Sequence, residues 1–162
     1  MHHGVDLGRA ATISAGFARG LIDFAVSQGA NRPELLARGS IDERDLEDQD
    51  GRIPFANYMT LMRAAKELTQ DPAFALHFGE AVDMADLSII GLIARASETY
   101  VEAMAQINRF HRLGADIEGL SGDRFVVKRE GNQVWLVDAR RIPADFPELT
   151  ESYFARSIAG IR

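Results

Sequence analysis

Apolar side chains recur at helical spacing through most of the first two thirds of the chain. Phe17, Leu21, Ile22, Phe24, Ala25 and Val26 mark a first helix, with Ser14 placed to cap it and Gly29 to end it as a left-handed residue. Pro33 opens a shorter helix, Glu34 to Arg38, stopped by Gly39. Pro54 starts a third, whose Phe55, Tyr58, Met59, Leu61, Met62, Ala65 and Leu68 form a broad stripe that requires burial against a neighbour. Asp71 before Pro72 pairs a good N-cap with a good first helical residue, so a helix is predicted from Pro72. Its Phe74, Ala75, Phe78 and Val82 share one face, His77 and Glu80 lie off it, and Gly79 weakens its middle. The run Leu87, Ile89, Ile90, Leu92, Ile93 is far short of the roughly 20 residues that span a bilayer, which predicts burial within the protein. Gly91 inside it lets another backbone come close. Thr99 and Glu102 form a capping box, predicting a helix from Tyr100 with Val101, Met104, Ala105, Asn108 and His111 along one side, extended by Ile107 and Phe110.

After Gly114 the period changes from helical to alternating. Residues 124–130 and 133–140 are short β-branched and aromatic runs separated by Gly131-Asn132, a pair suited to a two-residue turn, so they predict a β-hairpin. Val134, Leu136 and Asp138 face one way, Trp135 and Val137 the other. A lone hairpin is marginal, and residues 115–120 are a candidate third strand. Beyond Pro147, Leu149, Tyr153, Phe154 and Ile158 again have helical spacing. The expected fold is α+β: mostly helical N-terminal two thirds packed with a small antiparallel sheet, the hairpin at about 124–140, followed by a C-terminal helix. The 162 residues are read as a single domain, able to bury roughly 70% of the unfolded surface.

Composition narrows the chemistry. The chain has no cysteine, which rules out disulfides, thiolate zinc sites and thiol nucleophiles. Its net charge of −6 comes with no basic run for nucleic-acid phosphates. The acidic connector 40–52 superficially matches a calcium loop opening at Asp45. It fails at position six, where Asp50 stands instead of Gly, and at position twelve, where Ala56 stands instead of Glu. Dinucleotide, P-loop, zincin and nucleophile-elbow motifs are missing. No apolar leader or membrane span is evident, His2 and His3 read as part of a loose end, and no cofactor or metal is implied. His77 and Glu80 share a helix face, with Asp83 and Asp86 nearby, as surface or capping groups or as a metal or acid–base site. Arg109, His111 and Arg112 either complement a helix dipole or rim an anion pocket. Trp135 and Tyr58 are read as core or pocket wall.

The order Asp50-Gly-Arg-Ile-Pro54, a helix containing Tyr58, Asp71-Pro-Ala-Phe-Ala-Leu76, Phe78-Gly79, Leu87-Ser-Ile-Ile-Gly91, Ser97-Glu-Thr99, Ala103 and Arg109-Phe110 resembles a known family. It is similar to the N-terminal effector domain of AraC/XylS-type transcriptional regulators, in the subgroup labelled arabinose-binding rather than the cupin-type sensors. The resemblance covers about Gly20 to Arg162. It implies a bacterial, cytoplasmic, one-component regulator, not an enzyme, in which this domain binds a small-molecule effector of unknown identity, forms a homodimer, or both. DNA would be bound through a C-terminal helix-turn-helix region absent from this chain, which agrees with the acidic balance and with the abrupt stop at Arg162. Under this reading the candidate ligand-binding residues are Tyr58, Met62, Arg109, Phe110, His111, Arg112 and Trp135. Competing readings are a small enzyme using His77, Glu80 or His111 for proton transfer, a free-standing small-molecule-binding protein, and a pure dimerisation scaffold.

Overall fold

Capping side chains and helix breakers set where each helix begins. The computed structural model of the chain describes residues 10–117, 122–141 and 143–161; His2, His3 and the stretch 118–120 of the expected third strand lie outside them. Helix α1 (Ala15–Ser27) follows an extended Ser14, and Gly29 just beyond it takes φ +97°. Helix α2 (Arg32–Gly39) starts where Asn31 Oδ1 accepts the Glu34 amide at 3.0 Å. Helix α3 (Phe55–Thr69) follows Pro54. Helix α4 (Phe74–Ala81) begins two residues later than expected, because Asp71 Oδ1 accepts the Ala73 amide at 3.0 Å and holds 72–73 in a turn.

The apolar run after it is split by an extended Ser88 into α5 (Met84–Leu87) and α6 (Ile89–Arg95). The expected burial of this run holds for Leu87 and Ile90 and not for its whole length. Helical periodicity within α6 turns Ile90 inward and leaves Ile89 and Leu92 exposed. Helix α7 (Tyr100–Gly114) starts at its Thr99 cap as expected, with Thr99 Oγ1 accepting the Glu102 amide at 3.2 Å. The Glu102 carboxylate reaches the Glu98 amide, one residue farther out than a capping box requires. The inward face of α7 is centred on Met104, Ile107 and Gly114, whereas Val101 is exposed. Helix α8 (Pro147–Ile161) completes the described chain.

Three strands escaped the periodicity reading or were misassigned by it. Strand β1 (Thr12–Ser14) is the centre of an antiparallel sheet of order β2-β1-β3, flanked by β2 (Arg52–Pro54) and β3 (Ala115–Asp116). Residues 115–116 are therefore strand, but they pair with β1 and not with the hairpin: α7 runs directly into Ala115 and delivers it beside Ile13. The hairpin of β4 (Phe125–Glu130) and β5 (Gln133–Asp138) forms in the expected register, with Gly131 at φ +60° in the turn. Phe125 and the Asp138 carboxylate face the core, while Trp135 is 50% exposed. The connector between α2 and β2 carries a short 3-10 helix, Glu43–Leu46, anchored by buried Ile41 and Leu46.

Two apolar clusters result. The larger joins α1 to α4 through Leu21, Leu35, Tyr58, Met62, Phe74 and Phe78. The smaller gathers Ile90, Met104, Ile107, Phe125 and Tyr153 from α6, α7, β4 and α8. Close backbone approach ties the helices together. A Cβ at Gly79 in α4 would overlap the Ser152 carbonyl of α8, and one at Gly91 in α6 would overlap the Met84 backbone. No described helix is long and apolar enough to cross a membrane.

Two outcomes follow from this packing. Gly79→Ala gains about 1 kcal/mol of helix propensity but overpacks the α4–α8 contact, which costs about 1–3 kcal/mol and more where backbone must move. The expected result is a lower urea midpoint than wild type. Separately, His77 Nδ1 lies 2.7 Å from Asp71 Oδ2, and this bond raises the imidazole above its ordinary pKa of 6.5. A raised folded value means the pair contributes below about pH 6.5 and fades as pH rises through the raised value. NMR titration is expected to show His77 titrating high in wild type and near its ordinary value in Asp71→Asn.

Candidate functional site

Helix α8 is amphipathic with a flaw. Leu149, Tyr153 and Arg156 follow one another at four and three residues, so the turn that buries Leu149 and Tyr153 carries a guanidinium inward as well. Small residues on the facing elements leave space there. Gly79 and Ala81 at the end of α4, Gly91 and Ala94 on α6, Ala103 on α7 and Gly160 on α8 surround a cavity of about 440 Å³. Polar groups on its wall are Glu80, Asp83, Arg95, Tyr100 and Ser157. Asp83 is engaged, capping α5 through the Ala85 amide at 2.8 Å and pairing with Arg95.

A smaller recess of about 40 Å³ adjoins this cavity, sharing Met84, Ile107, Tyr153 and Arg156 with it. It lies where the two apolar clusters meet and is also lined by Tyr58, His111 and Arg124. Arg156 donates from Nε to the Val82 carbonyl at 2.9 Å, and its guanidinium sits 5.3 Å from the Phe78 ring centre. Its Nη2 is buried without a hydrogen-bond partner, and burial lowers its pKa. Arg124 stacks 4.6 Å over Phe125, and its Nε is likewise buried and unpartnered. Desolvation lowers its pKa too, against the pull of Asp138. Burial pushes the Tyr58 phenol up to about 12, partly opposed by the Arg156 and Arg124 charges. Tyr153 is also pushed up by burial, and its hydroxyl donates to Met104 Sδ at 3.1 Å.

The buried charge is held by one carboxylate. Asp138 Oδ2 lies 3.5 Å from Arg124 Nη2 and 3.0 Å from Arg140 Nε, and it accepts the Thr150 hydroxyl at 2.7 Å. Burial alone would raise the Asp138 pKa; Arg124, the Thr150 hydrogen bond and Arg140 outweigh it and hold the carboxyl below its usual range. Arg140 also donates to the Phe146 carbonyl at 3.2 Å, so this node pins the end of β5 to the start of α8.

Of the residues picked out from sequence, Tyr58 and His111 line the recess. Met62 is fully buried in the larger cluster, and Phe110 packs at the edge of the smaller one. Arg109 and Arg112 are exposed, the former with its guanidinium 5.2 Å from the Phe110 ring. Trp135 stands on the outer face of the hairpin and lines neither space. The groups that sequence reasoning passed over are Arg156, Tyr153, Ser157, Asp83, Arg95 and Arg124. The available signal was Arg156 at helical spacing from Leu149 and Tyr153, an arginine on an apolar stripe.

A helical domain with a walled cavity and buried polar groups beside it has the makings of a small-molecule-binding domain. Residues 29–162 match the family described as arabinose-binding domain of AraC transcription regulator, N-terminal, and the chain belongs to that family of regulatory ligand-binding domains. It is also similar to the ornithine utilization regulator of Pseudomonas aeruginosa, 22% identical over 101 residues that cover 62% of this chain and 30% of that protein. The match thus spans less than a third of the length of the curated relative.

Asp138→Asn strands two buried guanidinium groups, and a loss of about 3–5 kcal/mol is expected in denaturant unfolding. With a lowered folded pKa, the Asp138 contribution is complete above the ordinary carboxylate value of 3.8 and is lost as pH falls through the lowered one. The wild-type advantage over Asp138→Asn is therefore expected to persist at neutral pH and shrink in strong acid.

Proposed function

We propose that this chain is the sensor domain of a bacterial, cytoplasmic AraC-type regulator, and that its effector occupies the cavity of about 440 Å³ bordered by α4, α6, α7 and α8. The observation that carries this reading is the cavity itself, kept open by glycine and alanine on four helices and adjoined by a recess lined with polar groups. A space of that size suits a small metabolite. Family membership and the limited coverage of the curated relative support a DNA-binding helix-turn-helix part outside this chain. The acidic balance of the chain agrees with that division of labour.

Control then requires that the effector bind two arrangements of the domain with different affinity. Helix α8 is the element that would carry the difference, since it walls the cavity along its C-terminal half and is pinned to the hairpin at its start. Pairing of two copies belongs to the same reading, supported by Val127, Val134 and Trp135, which the hairpin leaves 54%, 63% and 50% exposed.

Filling the cavity tests the proposal. A metabolite library screened by thermal shift is expected to yield compounds that stabilise wild type, by about 2.7 kcal/mol at a hundredfold excess over Kd. Ala103→Phe, which blocks the cavity from α7, is expected to abolish their effect while remaining folded. Compounds that stabilise both proteins alike would place the effector elsewhere.

A further inference from the structure

The recess at the inner end of the cavity has an unusual balance of polar groups. Arg124 Nε and Arg156 Nη2 are both buried with no partner, and the Tyr58 hydroxyl makes no hydrogen bond among the described residues. All three side chains line the same space of about 40 Å³. Both guanidinium charges also oppose the rise of the Tyr58 pKa. Carboxylates balance these cations only in part, Asp83 acting on Arg156 without a direct ion pair. Arg124 and Arg140 share the single carboxylate of Asp138, and Arg156 forms no ion pair among the described residues. A fold that leaves N–H donors of two desolvated guanidinium groups unsatisfied around a small space has the form of an anion site.

We infer that the effector carries a carboxylate, seated in the recess between Arg124 and Arg156 with Tyr58 as a third donor, and an uncharged body lying in the larger cavity. This inference rests on the cavity being the effector site. The two guanidinium groups are donor-only and the neutral phenol can add an O–H donor, which matches the acceptor-only character of a carboxylate. The space has room for a small planar group. A phosphate dianion would bring a second negative charge near the Glu80 and Asp83 carboxylates that line the larger cavity. The body of the effector would contact the glycine and alanine surfaces of α4, α6 and α7, which offer shape and little hydrogen bonding.

The test uses the chain as it stands, with hexanoate, benzoate and 3-phenylpropionate as probes, each against its primary amide, and inorganic phosphate, all measured by titration calorimetry. The expected result is that a carboxylate binds at least about tenfold tighter than its amide, the size of one hydrogen bond to a charged group. Arg156→Met and Tyr58→Phe should each erase that preference; the second is an isosteric change that keeps the core packed, so loss of fold in the first does not decide the matter. Amides that bind as well as their acids, in wild type and variants alike, would overturn the carboxylate assignment and leave the cavity reading standing. Phosphate bound more tightly than every carboxylate would also overturn it. Carboxylate binding that survives Ala103→Phe, or no binding by any probe, would overturn both readings.

Discussion

Everything around the cavity depends on how closely α8 lies against α4. The absence of a side chain at Gly79 lets the Ser152 backbone come into contact with α4, and that distance sets which residues of α8 reach which partners. Arg156 can close the end of α4 through the Val82 carbonyl only because the two helices are nearly touching. Tyr153, one turn earlier, is then brought against Phe125 with ring centres 3.7 Å apart, coupling the hairpin to the helical layer. A wider spacing would separate the two apolar clusters and turn the cavity into open surface.

The second theme is buried charge that the protein does not neutralise by itself. Three arginines, Arg124, Arg140 and Arg156, approach the interior, and Asp138 is their one ion-pair partner among the described residues. Hydrogen bonds to backbone and stacking on Phe125 and Phe78 soften the cost of burial without removing the charge. Apolar side chains of similar volume would commonly be as stable or more so. The arrangement is therefore better explained by what it can bind than by what it adds to the fold. Its placement at the meeting point of the two clusters also means that any occupant would touch both of them.

Much of the architecture was legible in the sequence because strong local signals governed it. The α3 stripe, the Thr99 cap and the Gly131-Asn132 turn each specify their element through local chemistry, and the structure follows them. The sheet formed by β1, β2 and β3 was not legible. Strands of two or three residues carry no measurable alternation, and their pairing joins positions such as Ile13, Ile53 and Ala115 that only the completed helices bring together. Burial within the run from Leu87 to Ile93 was misjudged because its hydrophobicity hid the break at Ser88. The candidate site was legible in part: Tyr58 and His111 stood out on apolar faces, whereas Arg124 and Arg156 were not among the candidates. Their burial comes from the crossing of α8 with α4 and the docking of the hairpin, which no local pattern encodes.

The small sheet bears on how the chain reaches this state. Its central strand, residues 12–14, precedes both of its neighbours in the chain, residues 52–54 and residues 115–116. Closing loops of such different length is entropically uneven, and the longer closure is the slower one. During synthesis this central strand therefore emerges with both edges bare and gains its second partner only after residue 116 has left the ribosome. Helices α1 to α6 can collapse in the meantime, so the last stitch of the sheet is set by α7, the helix that ends in β3 and forms one wall of the cavity.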